Sequence, residues 1–150
     1  MSQSLSQIYI HIIFSTKHRR PIIKDSIFDE LFAYLGGTCK SLDCQPIKIG
    51  GYHDHIHILC KLSKKIALVT LLEQVKKSSS KWMKTKGSEY AGFYWQDGYA
   101  VFSVNPSEVE YVVDYIANQA EHHRIKSFQD ECIEFFRKYQ VDYDERYVWD

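Results

Sequence analysis

The stretch PIKIGGYHDHIHILCKL, residues 46–62, decides the fold. Pro46 to Gly51 and His55 to Leu62 read as two short strands around Gly50-Gly51, since each is a brief apolar-rich run and glycine punctuates them. In an extended chain, alternate side chains share a face, so His53, His55 and His57 point one way and Ile56 and Ile58 the other. Upstream, Ile8 to Phe14 reads as a buried, Ile-rich strand. Asp25 to Cys39 has apolar residues at Ile27, Phe28, Leu31, Phe32 and Leu35, the spacing of a helix whose end Gly36-Gly37 weakens. Downstream, Ile66 to Met83 is helical through Leu68, Leu71, Leu72 and Val75. The order is thus β, α, β, β, α. Phe93 to Gln96 and Tyr99 to Val104 flank the turn dipeptide Asp97-Gly98 and add one or two strands. Asn105-Pro106-Ser107-Glu108 announces a helix: Asn as N-cap, Pro at the first position, Glu108 where a capping box puts its carboxylate. Ser127 to Tyr139 is a last short helix. This alternation predicts an α+β sandwich of the ferredoxin-like kind, helices packed on an antiparallel sheet, as a single domain over residues 1–150.

Composition sets the outer limits. With 150 residues, 45% hydrophobic and 25% charged, the chain can bury a proper core without metals or disulfides, which excludes disordered, collagen-like and disulfide-scaffold classes. No apolar run approaches the ~20 residues needed to span a bilayer, and Met1 to Gln7 is polar without an apolar h-region, so a soluble cytoplasmic protein away from membranes is expected. Cys39, Cys44, Cys60 and Cys132 form no C-x-x-C pair and are expected to be free thiols. Lys and Arg balance Asp and Glu, 19 against 19, but not evenly along the chain. Lys61 to Lys86 holds eight Lys and one acid, Glu73, a net of +7, while Ser127 to Asp150 holds seven acids and three bases, a net of −4. Such segregation suits either a local phosphate-binding surface or a solvated helix face.

Two constellations carry chemistry. The His-rich strand presents clustered imidazoles able to fix a metal or shuttle protons, although imidazoles on a sheet also serve as plain hydrogen-bonded surface groups. The helix starting at Asn105 has an apolar stripe of Val109, Val112, Val113, Ile116, Ala117 and Ala120, which is core. Tyr115 and Gln119 lie about 40° apart along one edge of that stripe and can meet the sheet together. A phenol with a pKa of about 10 is a poor nucleophile unless a cation or base adjoins it, and a metal also stabilises charge on a phosphate in flight. Together, a His pair and a Tyr/Gln pair from adjacent elements supply what phosphodiester cleavage needs.

His55-Ile56-His57 resembles the HUH motif, and Tyr115-Ile116-Ala117-Asn118-Gln119 resembles the Tyr-x-x-x-Gln helix that accompanies it in single-tyrosine transposases of the insertion-sequence two-hundred type. Ile10 to Lys17, Asp54, and Trp95 to Tyr99 running into Phe102-Ser103-Val104 are similar to the same family, so the resemblance spans Ile8 to about Tyr147. Ala100 stands where many relatives have Gly, and His53 is an additional imidazole. The resemblance implies a transposase acting on single-stranded DNA that carries hairpins. His55, His57 and Gln119 would hold a divalent metal, magnesium or manganese, and Tyr115 would attack the scissile phosphate to leave a 5′-phosphotyrosine and a free 3′-hydroxyl. It also implies a homodimer in which the tyrosine helix of one subunit completes the His site of the other. Ligand chemistry ranks manganese above magnesium, because magnesium prefers oxygen. Lys17, Arg19, Arg20, Lys76, Lys77, Lys81 and Lys84 are candidates for phosphate contacts, and Tyr94, Trp95 and Tyr99 for stacking on bases or for the core.

Two other readings compete. His53-Asp54-His55-Ile56-His57-Ile58-Leu59 also resembles the histidine-triad motif of nucleotide hydrolases, which wants a hydrophobic residue at Asp54 and gives Tyr115 and Gln119 no role. A non-catalytic nucleic-acid-binding module would use the Lys segment for affinity and the His cluster structurally. Tyr115→Phe separates the three: it abolishes a DNA adduct in the first, spares nucleotide hydrolysis in the second and changes little in the third.

Overall fold

The computed structural model describes residues 2–150, so Met1 of the polar stretch Met1 to Gln7 lies outside it. Strands β1 (Tyr9–Ser15), β2 (Pro46–Tyr52), β3 (His55–Lys61) and β4 (Ala100–Val104) form one antiparallel sheet in the order β2-β3-β1-β4. Among the described residues five α-helices pack on it: α1 (Phe28–Ser41), α2 (Leu68–Lys84), α3 (Val109–Ala117), α4 (Gln119–His123) and α5 (Phe128–Lys138). The α+β, ferredoxin-like expectation is met. Period-2 alternation sorts each strand between two layers. Ile10, Ile12 and Phe14 of β1 and Ile56, Ile58 and Cys60 of β3 meet Leu31 and Leu35 of α1 and Leu71, Leu72 and Val75 of α2 in the main core. On the other face, Leu59 packs with Val112 and Ile116 of α3, and Ile13 with Phe128, Cys132 and Phe136 of α5. His55 and His57 belong to this second face.

Four local expectations need correction, each for a physical reason. Gly50 and Gly51 do not turn the chain; both lie in β2, and the turn is His53-Asp54. Their missing Cβ atoms serve close approach instead: one on Gly50 would lie 2.7 Å from the Ile116 carbonyl oxygen, and one on Gly51 2.3 Å from the His55 carbonyl oxygen. Phe93 to Gln96 is not a strand but makes an isolated bridge, Thr16 to Trp95. There the Trp95 indole is drawn into the core to donate to Ser79 Oγ at 2.8 Å, and the Lys76 ammonium holds the carbonyls of Asp97 and Gly98 at 3.0 and 2.8 Å. Asn105 caps its helix by accepting from Ser107 N at 3.0 Å, but the first turn is a tight 3-10 one over Pro106–Glu108 and Glu108 faces Lys138 rather than closing a capping box. Finally, the helix breaks at Asn118 (φ −102°, ψ 24°), whose side-chain amide donates to the Asp114 carbonyl at 2.8 Å and competes with the helix ladder. The apolar stripe therefore stops at Ile116: Ala117 and Ala120 are exposed, and Gln119 is buried.

Candidate active site

The site lies on the second face of the sheet, where β3 brings His55 and His57 side by side with both side chains fully buried. In register, Ser15 of β1 sits opposite His55 and Ile13 opposite His57, while Gly50 of β2 also faces His57. Because Gly50 carries no side chain, the Ile116 backbone of α3 comes down onto β2, and the residue before it, Tyr115, reaches the His pair: its ring centroid is 5.8 Å from that of His57. After the break at Asn118, α4 turns Gln119 inward, with Oε1 at 2.9 Å from His55 Nε2. Tyr115 and Gln119 thus meet the His pair of their own chain.

His53, by contrast, is not part of the cluster. It sits in the turn, pairs with Asp25 at 2.8 Å and stacks on Tyr52 and Phe28, so the expected row of three imidazoles is two. Others take its place from beyond Gln119. His123 Nε2 lies 2.9 Å from Gln119 Oε1, and α5 inserts Glu131, 1% exposed, among the imidazoles. Glu131 Oε1 is 2.9 Å from His57 Nε2 and 3.5 Å from His55 Nε2; Oε2 is 3.1 Å from His122 Nε2 and 3.2 Å from His123 Nε2 and accepts the Tyr115 hydroxyl hydrogen bond. The ligand atoms of His55, His57, His123 and Glu131 all lie within 4.8 Å of one another. Sequence reasoning missed His122, His123 and Glu131. The only available signal was that the Ser127 to Tyr139 helix has one acid, Glu131, in phase with its apolar stripe Phe128, Cys132, Phe135 and Phe136.

Electrostatics follow from this crowding. Burial favours a neutral Glu131, but the charges and hydrogen bonds of His57, His123 and His55 outweigh it and hold the carboxyl well below the usual carboxylate range. Burial pushes the His57 pKa down despite Glu131, and that of His11 well down. Burial also lowers His122, whereas at His123 the hydrogen bond and charge of Glu131 overcome burial and raise it. For Tyr115, burial and the adjacent Glu131 charge act together and push the phenol well above its ordinary value. The nucleophile candidate is thus held protonated, with its hydrogen on the carboxylate.

The basic and aromatic candidates collect at the end of the sheet where β1 passes His55. Thr16 N donates to the Asp54 carbonyl at 2.9 Å and Lys17 N to that of Tyr94 at 2.8 Å, tying this surface to the turn that precedes His55. Lys17 pairs with Asp97 at 3.2 Å, and the Arg19 guanidinium lies over the Trp149 ring. Arg20, Lys77 and Lys81 are exposed. Lys76, besides holding two carbonyls, faces the Tyr99 ring and lines a groove of about 400 Å³ with Lys77, Ser80 and Tyr94. Of the three aromatics, Trp95 is core against Phe14 and Phe93, whereas Tyr94 and Tyr99 are 59% and 41% exposed. All four cysteines are free and buried, and among the described residues no helix is long and apolar enough to cross a membrane.

The profile of the family described as "Transposase IS200 like" matches residues 4–119. The fold is similar to that of a candidate transposase from Deinococcus radiodurans R1, with a TM-score of 0.62 and 20% identity over 79% of this chain and 98% of that one. It is also similar to that of a REP-associated tyrosine transposase bound to a REP hairpin, with a TM-score of 0.59 and 15% identity over 82% of this chain and 74% of that one. No functionally curated protein matches the sequence. The matched segment begins just before β1 and ends on Gln119, so it contains the His pair and the Tyr-x-x-x-Gln segment that the fold has brought together: the chain belongs to the IS200-like transposase family.

Proposed function

We infer that this transposase cleaves and rejoins single-stranded DNA by transferring a DNA 5′-phosphate to Tyr115, at a site where His55, His57 and Gln119 hold a divalent metal. The observation that carries this reading is that the Tyr115 hydroxyl donates to Glu131, whose other oxygen faces His55 and His57, so that the tyrosine and the His pair share one polar cluster. The donor set suits a cation. His55 Nδ1 faces the Asp54 carboxylate at 2.7 Å and His123 Nδ1 the Lys126 carbonyl at 2.7 Å, so each of these nitrogens carries a hydrogen. Both Nε2 atoms face Gln119 Oε1 at 2.9 Å, and Glu131 oxygens lie 3.5 Å from that of His55 and 3.2 Å from that of His123, so nitrogen and oxygen atoms able to bind a cation gather in one place.

In the reaction, the Tyr115 oxygen attacks phosphorus and the bond to the 3′-oxygen breaks; the Tyr115 proton leaves along its hydrogen bond to Glu131 and on to solvent, and the departing 3′-oxygen takes a proton from solvent to become the free 3′-hydroxyl. The P–O bond to tyrosine conserves the energy of the one broken, so reversal by another 3′-hydroxyl joins strands without ATP. A divalent metal, when bound, supplies Lewis-acid polarisation of a phosphate oxygen. His122, part-exposed and 3.2 Å from the Tyr115 hydroxyl, also lines a surface groove with Asn118, Glu121, Ile125 and Lys126, and so links the tyrosine to an open face from which a single strand can approach. The likeness to a hairpin-bound transposase supports hairpin DNA as the substrate, and the surface of Lys17, Arg19, Arg20, Lys76, Lys77 and Lys81, with Tyr94 and Tyr99, is suited to hold its phosphates and unpaired bases.

Labelled single-stranded oligonucleotides with hairpins from the gene's flanks, incubated with manganese and run on a denaturing gel, test the reading. A protein-DNA band is expected from the wild type and none from Tyr115→Phe. Hairpin binding without any wild-type adduct would favour a non-catalytic module.

A further inference from the structure

We propose that His123 and Glu131 are ligands of the same metal as His55 and His57, which makes the centre a three-imidazole, one-carboxylate site for a transition-metal ion rather than for magnesium. This rests on the reading that the His pair holds a divalent metal, and it adds His123 of α4 and Glu131 of α5 to the ligand set, with Gln119 Oε1, 2.9 Å from both His55 Nε2 and His123 Nε2, as a further oxygen donor beside them.

Donor spacing is the first support. Neighbouring donors on one ion with bonds of about 2.1 Å are about 3.0 Å apart in octahedral and about 3.4 Å apart in tetrahedral geometry. Here His57 Nε2 to Glu131 Oε1 is 2.9 Å, His123 Nε2 to Glu131 Oε2 is 3.2 Å and His55 Nε2 to Glu131 Oε1 is 3.5 Å. Each imidazole thus already stands at about coordination spacing from the carboxylate, and the four donors, within 4.8 Å of one another, draw together around Glu131 when a cation binds.

The far nitrogens are the second. A ligating imidazole is oriented by a partner on its other nitrogen. Each of the three has one: Asp54 for His55, His11 Nε2 at 2.8 Å from His57 Nδ1, and the Lys126 carbonyl for His123. All three rings are thereby aimed with Nε2 toward Glu131. The third support is burial, because His55, His57 and Glu131 are at most 1% exposed and an anion set so deep among imidazoles calls for positive charge. Three nitrogen donors then decide the metal class. Imidazole suits zinc, cobalt and manganese in falling order of general affinity from zinc to manganese, while magnesium seeks oxygen and keeps its waters.

The test is metal binding to the chelator-stripped full chain, measured by titration calorimetry with Zn²⁺, Mn²⁺ and Mg²⁺. One equivalent of Zn²⁺ and of Mn²⁺ is expected to bind, with Mg²⁺ about 100-fold weaker or more. Glu131→Gln and His123→Asn should each weaken Mn²⁺ binding by at least about 100-fold, the upper range for losing an outer-shell partner. Imidazole ¹⁵N NMR of the wild type with Zn²⁺ gives an answer that needs no variant to fold: the signals of His55, His57 and His123 should shift together. A His123 signal that stays put, or variants that keep wild-type affinity while His57→Ala loses it, would overturn the extended set and leave the His-pair reading standing. No binding of any of the three ions to the wild type would overturn both.

Discussion

Replacing Gly50 by Ala tests whether the approach of α3 to the sheet sets the position of the nucleophile. The new Cβ would lie 2.7 Å from the Ile116 carbonyl oxygen and 2.8 Å from Ile116 Cγ2, whereas ordinary contact starts at 3.4 Å. Both clashes are with α3, one of them with backbone, so the helix has to withdraw by about 0.7 Å, the difference between 3.4 and 2.7 Å. Gly50 shows no left-handed φ, so the effect is purely steric. Overpacking of this kind costs about 1–3 kcal/mol. The kinetic effect is the more telling, because Tyr115 adjoins Ile116 and moves with it. A misplacement near 1 Å lowers a rate by on the order of 100-fold. The assay is the initial rate of adduct formation on a labelled hairpin oligonucleotide at saturating manganese, beside a urea unfolding curve. Gly37→Ala is the control, as its Cβ meets nothing within 4 Å in mid-helix and should add about 0.5–1 kcal/mol while leaving the rate alone. A Gly50→Ala protein that is destabilised yet forms adduct at the wild-type rate would refute the link between this spacing and catalysis.

Mixing Tyr115→Phe with His57→Ala subunits should restore no adduct, since Tyr115 here meets the His pair of its own chain; recovery in the mixture would show sites built between subunits. Ser127→Ala removes the cap that accepts from Asp130 N at 3.1 Å and should lower stability by about 1 kcal/mol, seen first as faster amide exchange in α5; unchanged exchange there would count against it. Burial pushes the Lys76 ammonium down to about 8 from 10.5, so between these values the unfolded chain holds more protons and stability rises with pH. Partial exposure keeps that rise well under ~1.4 kcal/mol per unit. Urea unfolding at pH 7.5 and 9.5 should show this slope in the wild type and not in Lys76→Met, and identical slopes would contradict it.

Much of the fold was legible because the strands and long helices bury one face each and so carry their period in sequence. Ile10 to Phe14, Leu68 to Val75 and the His55-Ile56-His57 alternation all behave as their spacing demands. Signals of local chain reversal were less faithful. Gly50-Gly51 looks like a turn in one dimension, and only the third shows that α3 needs the room. Likewise, no periodicity announces that Asn118 will interrupt a good helix, and with it Gln119 exchanges places with Ala117 and Ala120. The His pair, Tyr115 and Gln119 stood out because their spacing follows a known pattern, and the fold brings them together. Glu131 was not, because an acid within a net-negative C-terminal segment looks like solvated charge until the packing of α5 carries it under the sheet.

The four buried thiols divide between the two layers of the molecule, and this gives the chain a built-in kinetic probe. Cys39, Cys44 and Cys60 lie in the core under α1 and α2, whereas Cys132 sits beside Glu131 among Ile13, Phe102, Phe128 and Phe136. A thiol reagent therefore labels Cys132 whenever α5 lifts locally, and the other three only when the main core opens. Labelling rates measured with and without metal or DNA would separate motion at the layer that holds the His cluster from unfolding of the whole, in the unmodified protein and without an attached dye.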